Sequence, residues 1–68
     1  MRIVDSELGL ELWVSDWETP GGFEWCVIQW STSGGIKDWE VEGQETDFIG
    51  ASCTAQMELW KRQIELRK

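Results

Sequence analysis

The chain has 68 residues, thirteen acids, six bases and no histidine, for a formal net charge of −7. That charge repels phosphate backbones, which argues against direct nucleic-acid binding and in favour of a basic partner. The absence of His and Tyr removes the commonest general base and the commonest metal ligand.

A chain this short makes one domain, residues 1–68, which buries only roughly 60% of the surface its unfolded form exposes and so needs reinforcement. Six Trp supply it as aromatic packing. Cys26 and Cys53, with no apolar leader at Met1–Asp5, predict buried, reduced thiols in a cytoplasmic protein, although a Cys26–Cys53 bond stays open if the fold brings them together. No stretch reaches the ~20 apolar residues that span a membrane. The charge is also uneven: residues 1–50 hold eleven acids against Arg2 and Lys37, whereas residues 51–68 hold Glu58 and Glu65 against Lys61, Arg62, Arg67 and Lys68. Acidity can also serve solubility alone.

In chain order, Ile3 and Val4 either extend the first strand or pair separately. That strand, Glu7–Val14, alternates Leu8, Leu10, Leu12 and Val14 on one face with Glu7, Gly9, Glu11 and Trp13 on the other. Pro20-Gly21 suits a type II turn. Phe23–Trp30 is apolar on both faces, Phe23, Trp25 and Val27 against Cys26, Ile28 and Trp30, and belongs in the middle of a sheet. After a Ser/Thr/Gly loop at 31–35, Ile36–Glu42 reads as an edge strand whose acids discourage edge-to-edge pairing. Gly43-Gln44-Glu45 turns the chain out of the sheet. A helix then runs from Asp47 to about Arg67, with Thr46 as N-cap and Asp47 at the positive end of its dipole. The expected fold is α+β: a three-stranded antiparallel β-meander with one C-terminal α-helix packed on one face (β-β-β-α).

The helix carries two stripes. Phe48, Ala51, Ser52, Ala55, Leu59 and Leu66 suit close packing on a sheet. Ile49, Cys53, Met57, Trp60 and Ile64 lie well round the axis, where the N-terminal arm, the 15–22 connection, a second subunit or a partner must cover them. Ile49, Met57, Trp60 and Ile64 are thus the candidate homodimer stripe.

The residues offer little chemistry. Two cysteines without histidine do not make a zinc site, Ser31, Ser33 and Ser52 have no base to activate them, and the Gly-Gly pairs do not lead into a helix as phosphate loops do. A non-catalytic protein without cofactor or metal is expected. The aromatics say more. Trp13, with either Trp25 or Trp30, falls on the uncovered sheet face unless the 15–22 and 31–35 loops fold over it. Trp13, Trp25, Trp30 and Trp39 are the aromatic candidates for a partner-binding face rimmed by acids.

In its size, its eleven acids before residue 51 and its sheet-plus-helix pattern, the chain resembles the small acidic inhibitors of bacteriophages and mobile elements, anti-CRISPR proteins and other DNA mimics among them. That resemblance implies carboxylates that imitate a phosphate track and occupy a basic groove of a nucleic-acid-handling complex. Its candidates are Glu7, Glu11, Asp16, Glu18, Glu24, Asp38, Glu40, Glu42, Glu45 and Asp47. The basic helix and the many Trp depart from pure charge mimicry and favour a mixed aromatic–acidic interface. The other reading is a homodimeric structural or adaptor protein joined through the C-terminal helix.

Overall fold

The computed structural model describes residues 1–31 and 35–68; the part of the expected 31–35 loop formed by Thr32, Ser33 and Gly34 lies outside them. The chain is α+β. Strands β1 (Arg2–Asp5), β2 (Leu10–Val14), β3 (Phe23–Trp30) and β4 (Lys37–Glu45) form an antiparallel sheet in the order β1-β2-β3-β4, and helix α1 (Phe48–Leu66) follows.

The sheet therefore has four strands rather than three. The extra one is the N-terminal arm, where Ile3 pairs with Leu12 and Val4 with Glu11. The expected strand over Glu7–Val14 is shorter because residues 6–9 form a turn. The Asp5 carboxylate accepts from the Glu7 and Leu8 amides, an Asx-type closure, and Gly9 turns the chain back at φ 71°. Leu8 leaves the strand but still packs against the core.

At the next connection, Thr19 and Gly22 exchange backbone hydrogen bonds around Pro20-Gly21. The positive φ falls on Gly22 rather than Gly21, so the turn is not type II. β4 runs on through Gly43-Gln44-Glu45 instead of leaving the sheet there. Gly43 stays in the strand because the Trp25 indole lies across it: a Cβ at Gly43 would stand 2.8 Å from Trp25 Cζ2. A bulge opposite Trp30 sets both Lys37 and Asp38 against that one residue.

The alternation in the central strand decides what lies where. Leu10, Leu12, Val14, Trp25 and Val27 meet Ala51, Ala55 and Leu59 of α1 in one buried cluster, with Phe23, Trp39, Val41 and Leu66 packed around it. Small residues at 51 and 55 let the helix lie close on the sheet. Phe23 and Phe48 meet edge to face at 5.9 Å. Asp47, not Thr46, is the N-cap, in extended conformation and accepting from the Gly50 amide at 2.6 Å. Towards the other end, Gln63 donates to Asp5 at 2.9 Å and so fastens the helix to the end of β1. The Gln63 bond, and after it the Leu8 amide, hold the Asp5 carboxyl below its ordinary range.

The second helical stripe is not covered by the arm, which is in the sheet, nor by the 15–22 connection. Ile49, Cys53, Met57, Trp60 and Ile64 are all exposed. No helix among the described residues is long and apolar enough to cross a membrane.

Candidate protein-binding face

The face of the sheet away from α1 is assembled by register. Arg2, Trp13, Cys26 and Glu42 are successive cross-strand partners, and so are Val4, Glu11, Ile28 and Glu40; Glu24 faces Gln44 in the row beyond. Alternate residues of a strand share a face, so Glu40, Glu42 and Gln44 stand in line along β4, and Asp38 stands exposed at the bulge that begins the line.

Two of the four candidate tryptophans are on this face. Trp13 is 47% exposed, with the Arg2 guanidinium 5.4 Å from its ring centroid. Trp30 is half-buried, and its Nε1 donates to Glu11 Oε1 at 3.0 Å. Trp25 and Trp39 are not on it, contrary to the expectation for both. Trp25 is buried in the core at 7% exposure, and Trp39 packs on the helix side beneath the Arg62 guanidinium, 4.7 Å from its ring centroid. The parity of β3 and β4 sends them there once Val27 and Val41 face the helix.

The ten candidate carboxylates also divide. Glu24, Asp38, Glu40 and Glu42 are exposed together on the β3–β4 side of the open face. Among the described residues, the one cation within ion-pair distance of these four is Lys37, 3.1 Å from Glu40. Glu11 is on the same face but buried at 8% exposure, bonded by Arg2 Nε and Trp30 Nε1, so it is a structural carboxylate and not a contact surface. Burial alone pushes its carboxyl up; the Arg2 and Trp30 bonds, with the charge of Arg2 and a contribution from Trp13, outweigh burial and leave it below its ordinary value. Asp47 is committed to the helix cap. Asp16 binds the N-terminal ammonium at 2.9 Å, and Glu45 alternates onto the helix side of β4. Glu7 and Glu18 are exposed in the turn before β2 and in the connection after it, away from the row on β4.

Next to the acidic row is a depression of about 550 Å³, whose lining includes Trp13, Trp17, Glu24, Cys26, Glu42 and Gln44, together with part of the otherwise buried Trp25. Trp17, 67% exposed between Asp16 and Glu18, was not among the sequence candidates, although a lone aromatic between two acids in a connection is a usable signal. Indole faces beside acceptor-only carboxylates suit guanidinium or ammonium groups through charge and cation–π attraction together. Among the described residues no group of His, Cys, Asp and Glu is arranged to hold a metal.

Cys26 belongs to this face and Cys53 to the exposed side of the helix, so the whole sheet and helix stand between the two free thiols. Cys53 is not buried as expected. Burial first, then the nearby Glu40 and Glu42, pushes the Cys26 thiol up. With a thiol reagent at about pH 8, Cys53 should react at least about tenfold faster than Cys26. Peptide mass spectrometry over time would measure this, and equal rates would contradict the placement of the two thiols.

No protein-family model, curated protein or solved structure matches this chain. The reading of the face therefore rests on its own geometry.

Proposed function

We propose that this chain is a non-catalytic, cytoplasmic binding protein of the phage-inhibitor type. It seats the Asp38–Glu40–Glu42 row and Glu24 on a basic nucleic-acid-binding surface of a host defence or nucleic-acid-handling complex, where it competes with the nucleic acid. The row is the observation that carries this reading. Side chains on one face of a strand recur at about 6.7 Å, which makes a regular line of negative charge, and among the described residues Lys37 is the one cation within ion-pair distance of it. The adjacent Trp13 and Trp17 add apolar area and a place for arginine side chains, which a bare charge track lacks.

The test is capture from a bacterial lysate on immobilised protein, washed first at low and then at high salt, followed by affinity measurement with the recovered complex. The complex should be retained at low salt and released at high salt, because exposed charges are screened within ~3 Å at 1 M. Glu40→Lys with Glu42→Lys should weaken binding by about a hundredfold at 0.1 M salt or below, in the range for charge pairs across an interface. Salt-insensitive capture, or full affinity in the double variant, would overturn the reading.

A further inference from the structure

The outer side of α1 lies opposite the face it packs on the sheet. At 100° per residue, Ile49, Cys53, Met57, Trp60 and Ile64 centre about 160° round the axis from Ala51, Ala55 and Leu59. Ile49 is 75% exposed, Met57 61%, Trp60 62% and Ile64 41%. From Cys53 onward the intervals are four, three and four, the spacing of a seam that packs against another helix. No charged residue interrupts it. Beside it, Lys61 is held by Glu58 at 3.3 Å, and Arg62 turns inward to Gln29 at 2.7 Å.

We propose that this stripe receives the same stripe of a second copy, antiparallel, about a two-fold axis passing between Met57 and Trp60. Three observations favour a second copy as the occupant. The first is self-complementarity. The axis sets Met57 of each copy against Trp60 of the other, thioether on indole, and Cys53 against Ile64, so the four positions from Cys53 to Ile64 each meet another of the four, while Ile49 falls opposite Lys68 beyond the pairs. The second is charge. Residues 51–68 carry four bases and two acids while residues 1–50 carry two bases and eleven acids, so this is the side on which two copies of a −7 chain approach with least repulsion. The third is area. At about 200 Å² per large side chain, the paired Met57, Trp60 and Ile64 offer roughly 330 Å² of apolar area per copy, the centre of an interface whose standard size is roughly 800 Å² per partner. Gln56 and Lys61 are exposed beside the seam and supply the rim.

Such a dimer turns both acidic sheet faces outward, so it neither requires nor blocks the proposed function. Sedimentation velocity on the full chain, from micromolar to millimolar, tests it beside Trp60→Glu, Met57→Lys and the Glu40→Lys/Glu42→Lys double variant. The wild type should dimerise. Trp60→Glu and Met57→Lys should each raise the dimer dissociation constant about a hundredfold or more, since both are central apolar anchors. The double variant should dimerise like the wild type. Residues 57 and 60 are outside the core, and circular dichroism should find both helix variants folded. A wild type that stays monomeric at millimolar concentration would overturn the proposal. So would a dimer that persists in both helix variants, or one lost in the double sheet-face variant.

Discussion

Trp25→Ala should destabilise the fold by about 3–5 kcal/mol, the range for truncating a buried aromatic. For 68 residues the whole stability is roughly 3–10 kcal/mol. The variant should therefore lose about a third or more of its stability at 25 °C. The indole is 7% exposed, stands between Val14 and Gly43 in register, and covers a glycine whose missing Cβ leaves it room. No neighbouring side chain at 43 can close the resulting cavity. The Nε1 of Trp25 is buried without an acceptor among the described residues, a defect of about 1–3 kcal/mol. Trp25→Phe removes that donor with part of the ring, so it should cost clearly less than the lost volume alone implies. Urea midpoints of the two variants would measure this. A Trp25→Ala loss below about 1 kcal/mol would mean that the site collapses and that Trp25 does not organise the core.

The second expected effect concerns the carboxylate beneath the open face. Arg2→Ala removes the cation from Glu11, a carboxylate that is 8% exposed in the native fold. The loss should be about 1.5 kcal/mol near neutral pH, the low end for a charged hydrogen bond because the Arg2 side chain is itself 57% exposed. Its pH dependence follows from the direction of the shift. Glu11 titrates lower in the fold than its reference of 4.5, so its pairing contributes in full above 4.5 and is lost as pH falls through the lowered folded value. The gap between wild type and Arg2→Ala should therefore narrow in acid. Glu11→Gln retains an acceptor for the Trp30 indole and should flatten that part of the pH–stability profile. A gap that stays constant from neutral pH to pH ~3 would count against the Arg2–Glu11 pairing.

Much of the architecture was legible because alternation in β3 is unambiguous: Phe23, Trp25 and Val27 go to the helix, and Cys26, Ile28 and Trp30 go to the other face. The small stripe on α1 announced its partner in the same way. What escaped was whatever depended on a contact distant in sequence. Ile3 and Val4 form too short a pattern to be a strand on their own, and only pairing with Leu12 and Glu11 makes them one. The same register decides that Glu11 is buried under Arg2, whereas the resemblance to acidic inhibitors places it among the surface carboxylates. A tryptophan count does not say which side of the sheet the helix takes, and so does not separate Trp25 and Trp39 from the partner face. The row of Glu40 and Glu42 was readable from alternation alone, whereas its junction with Trp17 depended on where the 15–22 connection lies.

Each strand of the sheet pairs only with its neighbours in sequence, and this bears on how fast the fold forms. Local pairing lowers contact order, and low contact order goes with rapid folding because little loop entropy is lost before contacts form. The exception is the helix, whose Ser52 meets Met1 and whose Gln63 meets Asp5, with Arg67 just beyond it 4.0 Å from the same carboxylate, all contacts between opposite ends of the chain. The meander can thus assemble hairpin by hairpin, and the docking of α1 on β2 and β3, with Gln63 reaching Asp5 at the end of β1, closes the longest loop. Until that step, the apolar side of the sheet faces water.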